Sequence, residues 1–193
     1  MVVKQIRNAL AAHRPHQLSV PYPDAAVLVL VTDDINPHVV LTKRASGLST
    51  HSGQVAFPGG MKDPGDPSLE YTALREAREE ISVSSDQITL CGQLSQVISK
   101  HKIRVTPFVG VIPPDLEFVP EPGELESIFT VPLRFFCETP PVRQDKVNFM
   151  GWQLLMPAWD YGQYHIWGLS ALILADFLWK VEKVRVGGVV GEA

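Results

Sequence analysis

GQVAFPGGMKDPGDPSLEYTALREAREEIS, residues 53–82, is the stretch on which the reading of the whole chain turns. A double glycine is followed by a proline-rich turn and then by a segment, Ser68 to Ile81, with no glycine or proline and many helix formers. With about 100° per residue and Glu76 at zero, Glu79 falls near −60° and Glu80 near +40°. Three carboxylates thus share one side of a helix, where like charges three and four apart repel. Leu74, Ala77 and Ile81 fall on a different side and form the core-facing stripe. The carboxylates are therefore expected at the edge of the packed face or away from it.

Two readings of the acidic cluster compete. REAREE suits a solvated helix, with Arg75 and Arg78 neutralising their neighbours. It also suits a divalent-cation site, because hard cations such as Mg²⁺ take oxygen ligands and also bind substrate phosphates. The preceding Phe57-Pro58-Gly59-Gly60 favours the second reading, since glycine lets backbone approach a ligand closely. A main-chain carbonyl there could add an oxygen to the metal shell. Asp66 or Ser68 is placed to cap the helix.

Outward from this core, residues 3–13 read as an amphipathic helix. Ala25–Thr32 and His38–Lys43 form a hairpin across the turn DDINP, and Gln54–Phe57 is a short strand. Strands are expected over Ile88–Val97 and Arg104–Ile112. Four prolines make Pro113–Gly123 a loop, and Val131-Pro132 opens a short helix through Phe136. Val142–Asn148 and Trp152–Met156 pair as strands, and Trp167–Val184 is a closing helix. Adjacent strands with few helices predict an α+β fold with a mixed sheet, in one domain spanning 1–193.

Composition narrows the function classes. With 193 residues, 45% of them hydrophobic, the chain can bury a core without staples. A net charge of −4 argues against broad nucleic-acid binding. Cys91 and Cys137 offer neither a disulfide framework nor a zinc motif, which suits a reducing cytoplasm. The N-terminus lacks the apolar core of a signal peptide, and no apolar run is long enough to span a bilayer. The expected protein is cytoplasmic, with no membrane partner. Its N-terminal segment and closing helix serve a homodimer interface as readily as a core.

Gly60, five residues, Asp66, eight residues, then Arg75-Glu76-Ala77-Arg78-Glu79-Glu80-Ile81-Ser82-Val83 resembles the Nudix box. The family pattern has Glu where this chain has Asp66, one residue fewer before the arginine, and Gly where this chain has Ser82. The resemblance implies an α/β/α sandwich that hydrolyses a diphosphate linked to another moiety, using Mg²⁺ or Mn²⁺. It implies Glu76, Glu79, Glu80 and the Gly60 carbonyl as metal ligands, with Arg75 holding the glutamates in place. Glu124 or Glu126, at the end of the proline-rich loop, competes with Glu76 or Glu80 for the role of general base.

The segment Leu41 to Gly60 resembles, more narrowly, the coenzyme A pyrophosphatase branch. Arg44, Leu48, His51, Gly53, Gln54 and Phe57 to Gly60 match its signature. Val105 to Gly110, Glu124 to Glu126 with Val131 to Leu133, and Ile166 to Ala171 look like its later segments. The resemblance puts Arg44, His51 and Gln54 at a small-molecule diphosphate substrate. His51 has a second reading, as a residue that fixes the turn before the strand. Ser49 stands where the branch has an arginine, a natural fork for phosphate. The expected activity is hydrolysis of coenzyme A or its derivatives to 3′,5′-ADP and 4′-phosphopantetheine. Ser49 keeps a second diphosphate, an ADP-sugar or a dinucleotide, in contention. A nucleotide-sensing module without catalysis is the third reading, and the intact glutamates argue against it.

Overall fold

The structure, a computed structural model, describes residues 2–46, 53–149, 152–186 and 188–192. Strand β1 (Asp24–Thr32, DAAVLVLVT) is buried along nearly its whole length. Successive side chains of a strand point to opposite faces. Ala25, Val27, Val29 and Val31 accordingly join one core cluster, and Ala26, Leu28 and Leu30 join the other. A strand apolar on both faces must be covered on both. Helix α1 (Val2–Ala11) packs into the first cluster through Val2, Ile6 and Leu10. Helix α2 (Leu69–Ile81) packs into the second through Ala73, Ala77 and Ile81. Helix α3 (Leu133–Glu138) and helix α4 (Gly168–Phe177), which runs on into a π-helical turn at Leu178–Glu182, join α1 on the first face. The result is the α/β/α sandwich expected.

The other strands are β2 (His38–Arg44), β3 (Val55–Ala56), β4 (Gly59–Met61), β5 (Thr89–Gln93), β6 (Val97–Ile98), β7 (Arg104–Ile112) and β8 (Leu125–Pro132). A second sheet holds β9 (Arg143–Phe149), β10 (Trp152–Tyr161), β11 (Tyr164–Ile166) and β12 (Gly188–Glu192). The large sheet is mixed. β1 and β7 run parallel from Asp24↔Arg104 to Thr32↔Ile112, while β2, β4 and β5 pair antiparallel to these two strands. Arg104 fixes the start of the parallel register with a fork onto Asp24, Nε–Oδ1 2.6 Å and Nη2–Oδ2 2.9 Å, and also donates to the Leu18 carbonyl.

Four expectations are corrected. Leu125–Pro132 is a strand, paired to β2 from His38↔Pro132 to Arg44↔Leu125, where the sequence reading had only a helix start at Val131. Its sequence, LESIFTVP, has no strict alternation, and distant β2 supplies its hydrogen bonds. Gly59–Met61, read as a turn, pairs with Ala25–Val27. The strand over Ile88–Val97 is broken into β5 and β6: Leu94 still donates to the Pro107 carbonyl of β7, but the Gln96 N–H turns away to the His16 carbonyl. Strands β11 and β12 were not foreseen.

Helix α2 starts where its polar residues dictate. Ser68 is the N-cap, its hydroxyl accepting the Tyr71 N–H at 3.1 Å, and Glu70 lies favourably in the first turn. The helix ends at Ser82 in the left-handed region, φ 60° and ψ 29°. Its buried stripe also differs from the wheel: Thr72, Ala73, Ala77, Glu80 and Ile81 are buried, and Leu74 is only partly so. Fully burying Ile81 contributes about 1.5–3 kcal/mol. Glu80, expected at the edge of the packed face, lies within it.

Candidate active site

The site begins with the approach of β4 to β1. A Cβ on Gly59 would meet the Ala26 carbonyl and lie 2.6 Å from the Val27 Cα, so no other residue fits this crossing. The Gly59 N–H then points at α2 and donates to Glu80 Oε2 at 3.0 Å. At Gly60 a Cβ would sit 2.5 Å from Cδ of Glu76. The double glycine therefore does two jobs: one residue admits the neighbouring strand, and the next admits a carboxylate.

Arg75 organises the outer side of this pair. Its Nε and Nη2 reach Asp66 Oδ1 and Oδ2, both at 3.1 Å, and Nη2 also donates to the Met61 carbonyl. Its Nη1 lies 2.9 Å from Glu76 Oε1 and 2.8 Å from Glu79 Oε2. Asp66 is buried and further accepts from the Thr72 hydroxyl and the Asp63 N–H. The Arg75 fork, with these donors, holds its carboxyl down at about 2. Of the two capping candidates Ser68 caps the helix, while Asp66 clamps Arg75. The sequence offers Asp66 as a cap candidate and as a position of the box, and no local signal reveals its clamp on Arg75.

Glu80 has a different environment. Its side chain is 5% exposed, and burial pushes its pKa up to about 7, against the Gly59 N–H, which favours the charged form. Glu76 is also raised, first by burial. Each carboxylate is raised further by the other charges nearby, Glu79 and Glu124 on Glu76, and Glu76 and Glu124 on Glu80. Glu79 stands at the rim, its side chain 58% exposed.

The proline-rich loop is what brings Glu124 here. Val119 and Glu121 donate their N–H groups to the carbonyls of Ile81 and Glu80, satisfying the end of α2. The Ala45 N–H donates to the Glu124 carbonyl at 2.8 Å, which stitches the loop to the exit of β2. Glu126 is spoken for: Lys43 Nζ lies 2.7 Å from its Oε1 and Ser46 Oγ 3.2 Å from its Oε2. Arg44 Nη1 lies 3.4 Å from Glu80 Oε1, and the Arg44 N–H donates to the Gln54 carbonyl. Arg44 is thus brought to Glu80, and Gln54 is tied to Arg44 through the backbone. His51 and Ser49 lie outside the described residues.

A hard divalent cation suits this donor set: a buried carboxylate bonded to one backbone N–H, a second against a glycine, and a third within their field. Among the described residues no three acidic, imidazole or thiolate groups already converge on one point. The glutamates are drawn instead to Arg75 and Arg44, which occupy the place of cationic charge.

Several known proteins resemble this chain. Residues 22–153 match the NUDIX domain model. An uncharacterised Nudix hydrolase, NudL, of Photorhabdus laumondii is 38% identical over 168 residues, 87% of this chain and 90% of that protein. Nudix hydrolase 15, mitochondrial, of Arabidopsis thaliana is 40% identical over 158 residues, 78% of this chain but 55% of that protein, so the chain spans little more than half of that relative. Among solved structures, a Nudix hydrolase from M. smegmatis, RenU, has a TM-score of 0.50 at 22% identity, over 59% of this chain and 73% of that one, which speaks to the fold.

Proposed function

The chain belongs to the Nudix family of hydrolases, and from that premise we propose that it hydrolyses the diphosphate of coenzyme A or its derivatives. Water would enter at the diphosphate, releasing 3′,5′-ADP and 4′-phosphopantetheine or its acyl form. The observation that carries the hydrolytic reading is the buried Glu80 carboxylate, held by the Gly59 N–H beside Glu76. Burial of that kind is costly and is retained where a site needs it. The coenzyme A reading rests on the segment Leu41 to Gly60, in which Arg44 adjoins Glu80 and Gln54 is bonded to Arg44 through the backbone.

In this reading Glu76, Glu79, Glu80 and the Gly60 carbonyl hold Mg²⁺ or Mn²⁺. The bound metal would neutralise diphosphate oxygens and lower the pKa of the attacking water. Arg75 keeps Glu76 and Glu79 oriented from the side away from substrate. Glu124, exposed and without a side-chain partner among the described residues, takes the proton of the water. Arg44 contacts a diphosphate oxygen, and the resemblance assigns His51 and Gln54 to the same substrate. Action in the cytoplasm belongs to the same proposal; no helix among the described residues is long and apolar enough to cross a membrane.

A second reading has its own support. Lys43 and Arg104 are committed to Glu126 and Asp24, and Ser49 brings no charge, which leaves the extra phosphate of coenzyme A to exposed lysines such as Lys62, Lys100 and Lys102. A simpler ADP-linked diphosphate needs fewer. Purified protein incubated with coenzyme A and Mn²⁺, followed by chromatography and mass spectrometry, separates the two. Metal-dependent 3′,5′-ADP, absent with Glu80→Gln, supports the first. Intact coenzyme A beside a cleaved ADP-sugar supports the second.

A further inference from the structure

Arg44 stands where the metal's charge is needed. Glu80 is buried with its Oε2 occupied by the Gly59 N–H, and Arg44 is the cation on its Oε1. Without a cation this carboxylate would sit buried beside Glu76 and within the field of Glu124, a like-charge arrangement that burial makes costly. Yet the Arg44–Glu80 contact is loose. At 3.4 Å it is longer than the 2.7–2.9 Å typical of a charge-assisted hydrogen bond, and only one guanidinium nitrogen takes part. Asp66 and Arg75, by contrast, form a closed two-nitrogen fork. One arginine of the site is locked and the other is poised to leave.

The backbone supports that difference. Arg44 is at the end of β2, just past a register shift between Lys43 and Arg44 that re-aims the side chain. Its N–H and carbonyl are both tied, to the Gln54 carbonyl and the Gly53 N–H. The side chain, about a quarter exposed, can swing without moving the strand.

We infer that Arg44 is an exchangeable counter-ion. It neutralises Glu80 in the metal-free protein, gives that carboxylate up when a divalent cation binds, and then turns to the substrate diphosphate. Metal binding therefore precedes productive substrate binding, because a guanidinium turned toward Glu80 does not present its two-nitrogen fork to phosphate. The inference rests on the metal-site reading above and adds an order of events to it.

The test uses the metal-free full chain. Mn²⁺ alone is titrated and free Mn²⁺ is followed by electron paramagnetic resonance, for wild type, Arg44→Gln, Arg44→Lys and Glu80→Gln. Removing the competing cation should tighten Mn²⁺ binding about tenfold in Arg44→Gln, with Arg44→Lys between it and wild type. A non-hydrolysable diphosphate, α,β-methylene-ADP, should then bind Mn²⁺-saturated Arg44→Gln about tenfold more weakly than wild type. Without metal, the two proteins should bind it equally poorly. Equal or weaker Mn²⁺ binding in Arg44→Gln overturns the inference, as does an Arg44-dependent affinity for the analogue that needs no metal. Should Arg44→Gln not fold, Arg44→Lys decides, and identity with wild type in both titrations overturns the exchange. Undiminished Mn²⁺ binding in Glu80→Gln instead removes the metal-site reading itself. Loss there, with Arg44→Gln unchanged, removes only the exchange.

Discussion

Gly59 and Glu80, 21 residues apart, are joined by an N–H···O bond of 3.0 Å that ties strand β4 to the buried face of helix α2. The bond turns an acidic residue of the helix into part of the core. It also makes the carboxylate's charge depend on what surrounds it, and that dependence is measurable.

In metal-free protein, Glu80 should make stability fall with rising pH. Its folded pKa is raised, to about 7, above an ordinary carboxylate value, so the stabilising contribution is full below about 4.5 and is lost as pH passes through 7. Glu80→Gln removes this slope. With chelator present at pH 8, the variant should be the more stable by on the order of 2 kcal/mol, with the gap closing by pH 5. Thermal unfolding across pH 5–8 measures it, and parallel curves for the two proteins would contradict the burial argument.

Adjacent glycines should separate folding from function. Gly60→Ala pushes its methyl against the Glu76 carboxylate, the far end of a flexible side chain that can move aside. The fold should survive with a melting temperature within about 4 °C of wild type, while Mn²⁺ affinity drops by about tenfold or more. Gly59→Ala meets the backbone of Ala26 and Val27, which cannot move aside, and should cost about 3 kcal/mol or more. Calorimetry of the two variants, with Mn²⁺ titration of Gly60→Ala, distinguishes these outcomes.

Asp66→Asn should act at neutral pH and fade in acid. The folded Asp66 carboxyl is held at about 2, so its contribution is full above the unfolded value near 4 and is lost as pH falls through 2. The variant should melt below wild type at pH 7 and converge with it between about pH 4 and pH 2. Because Arg75 loses its anchor, kcat should fall as well, with KM less affected. A constant difference in melting temperature down to pH 2 would argue against the clamp.

Ser82→Gly should stabilise the protein. Ser82 has φ 60°, a left-handed conformation that costs a residue with a Cβ about 1 kcal/mol. The hydroxyl gives up only an exposed contact to the Val119 carbonyl at 3.2 Å. A gain of about 0.5–1 kcal/mol in urea unfolding is expected.

Much of this architecture is written locally. The VLVLV core of β1, the proline-free run capped by Ser68, and Arg104–Ile112 can be read directly, because period and capping are short-range properties. Leu125–Pro132 could not be read so, because its strand character comes from β2, more than eighty residues earlier in the chain. The wheel put Glu76, Glu79 and Glu80 on one side of α2 but could not rank their burial. That ranking depends on β4 lying over Glu76 and Glu80 and leaving Glu79 in water.

Residue type and spacing alone suffice for a mixed-sheet α+β fold, for the acidic helix and for its double-glycine approach, while the sandwich layering followed from the likeness to the Nudix family. The separate surroundings of the acids emerge only once the chain is folded. Asp66 became a clamp through Arg75, Glu126 was neutralised by Lys43, and Glu124 entered the field of Glu76 and Glu80. A carboxylate's charge and availability depend on burial and on charges within a few ångströms. Those neighbours come from strands and loops far apart in the chain.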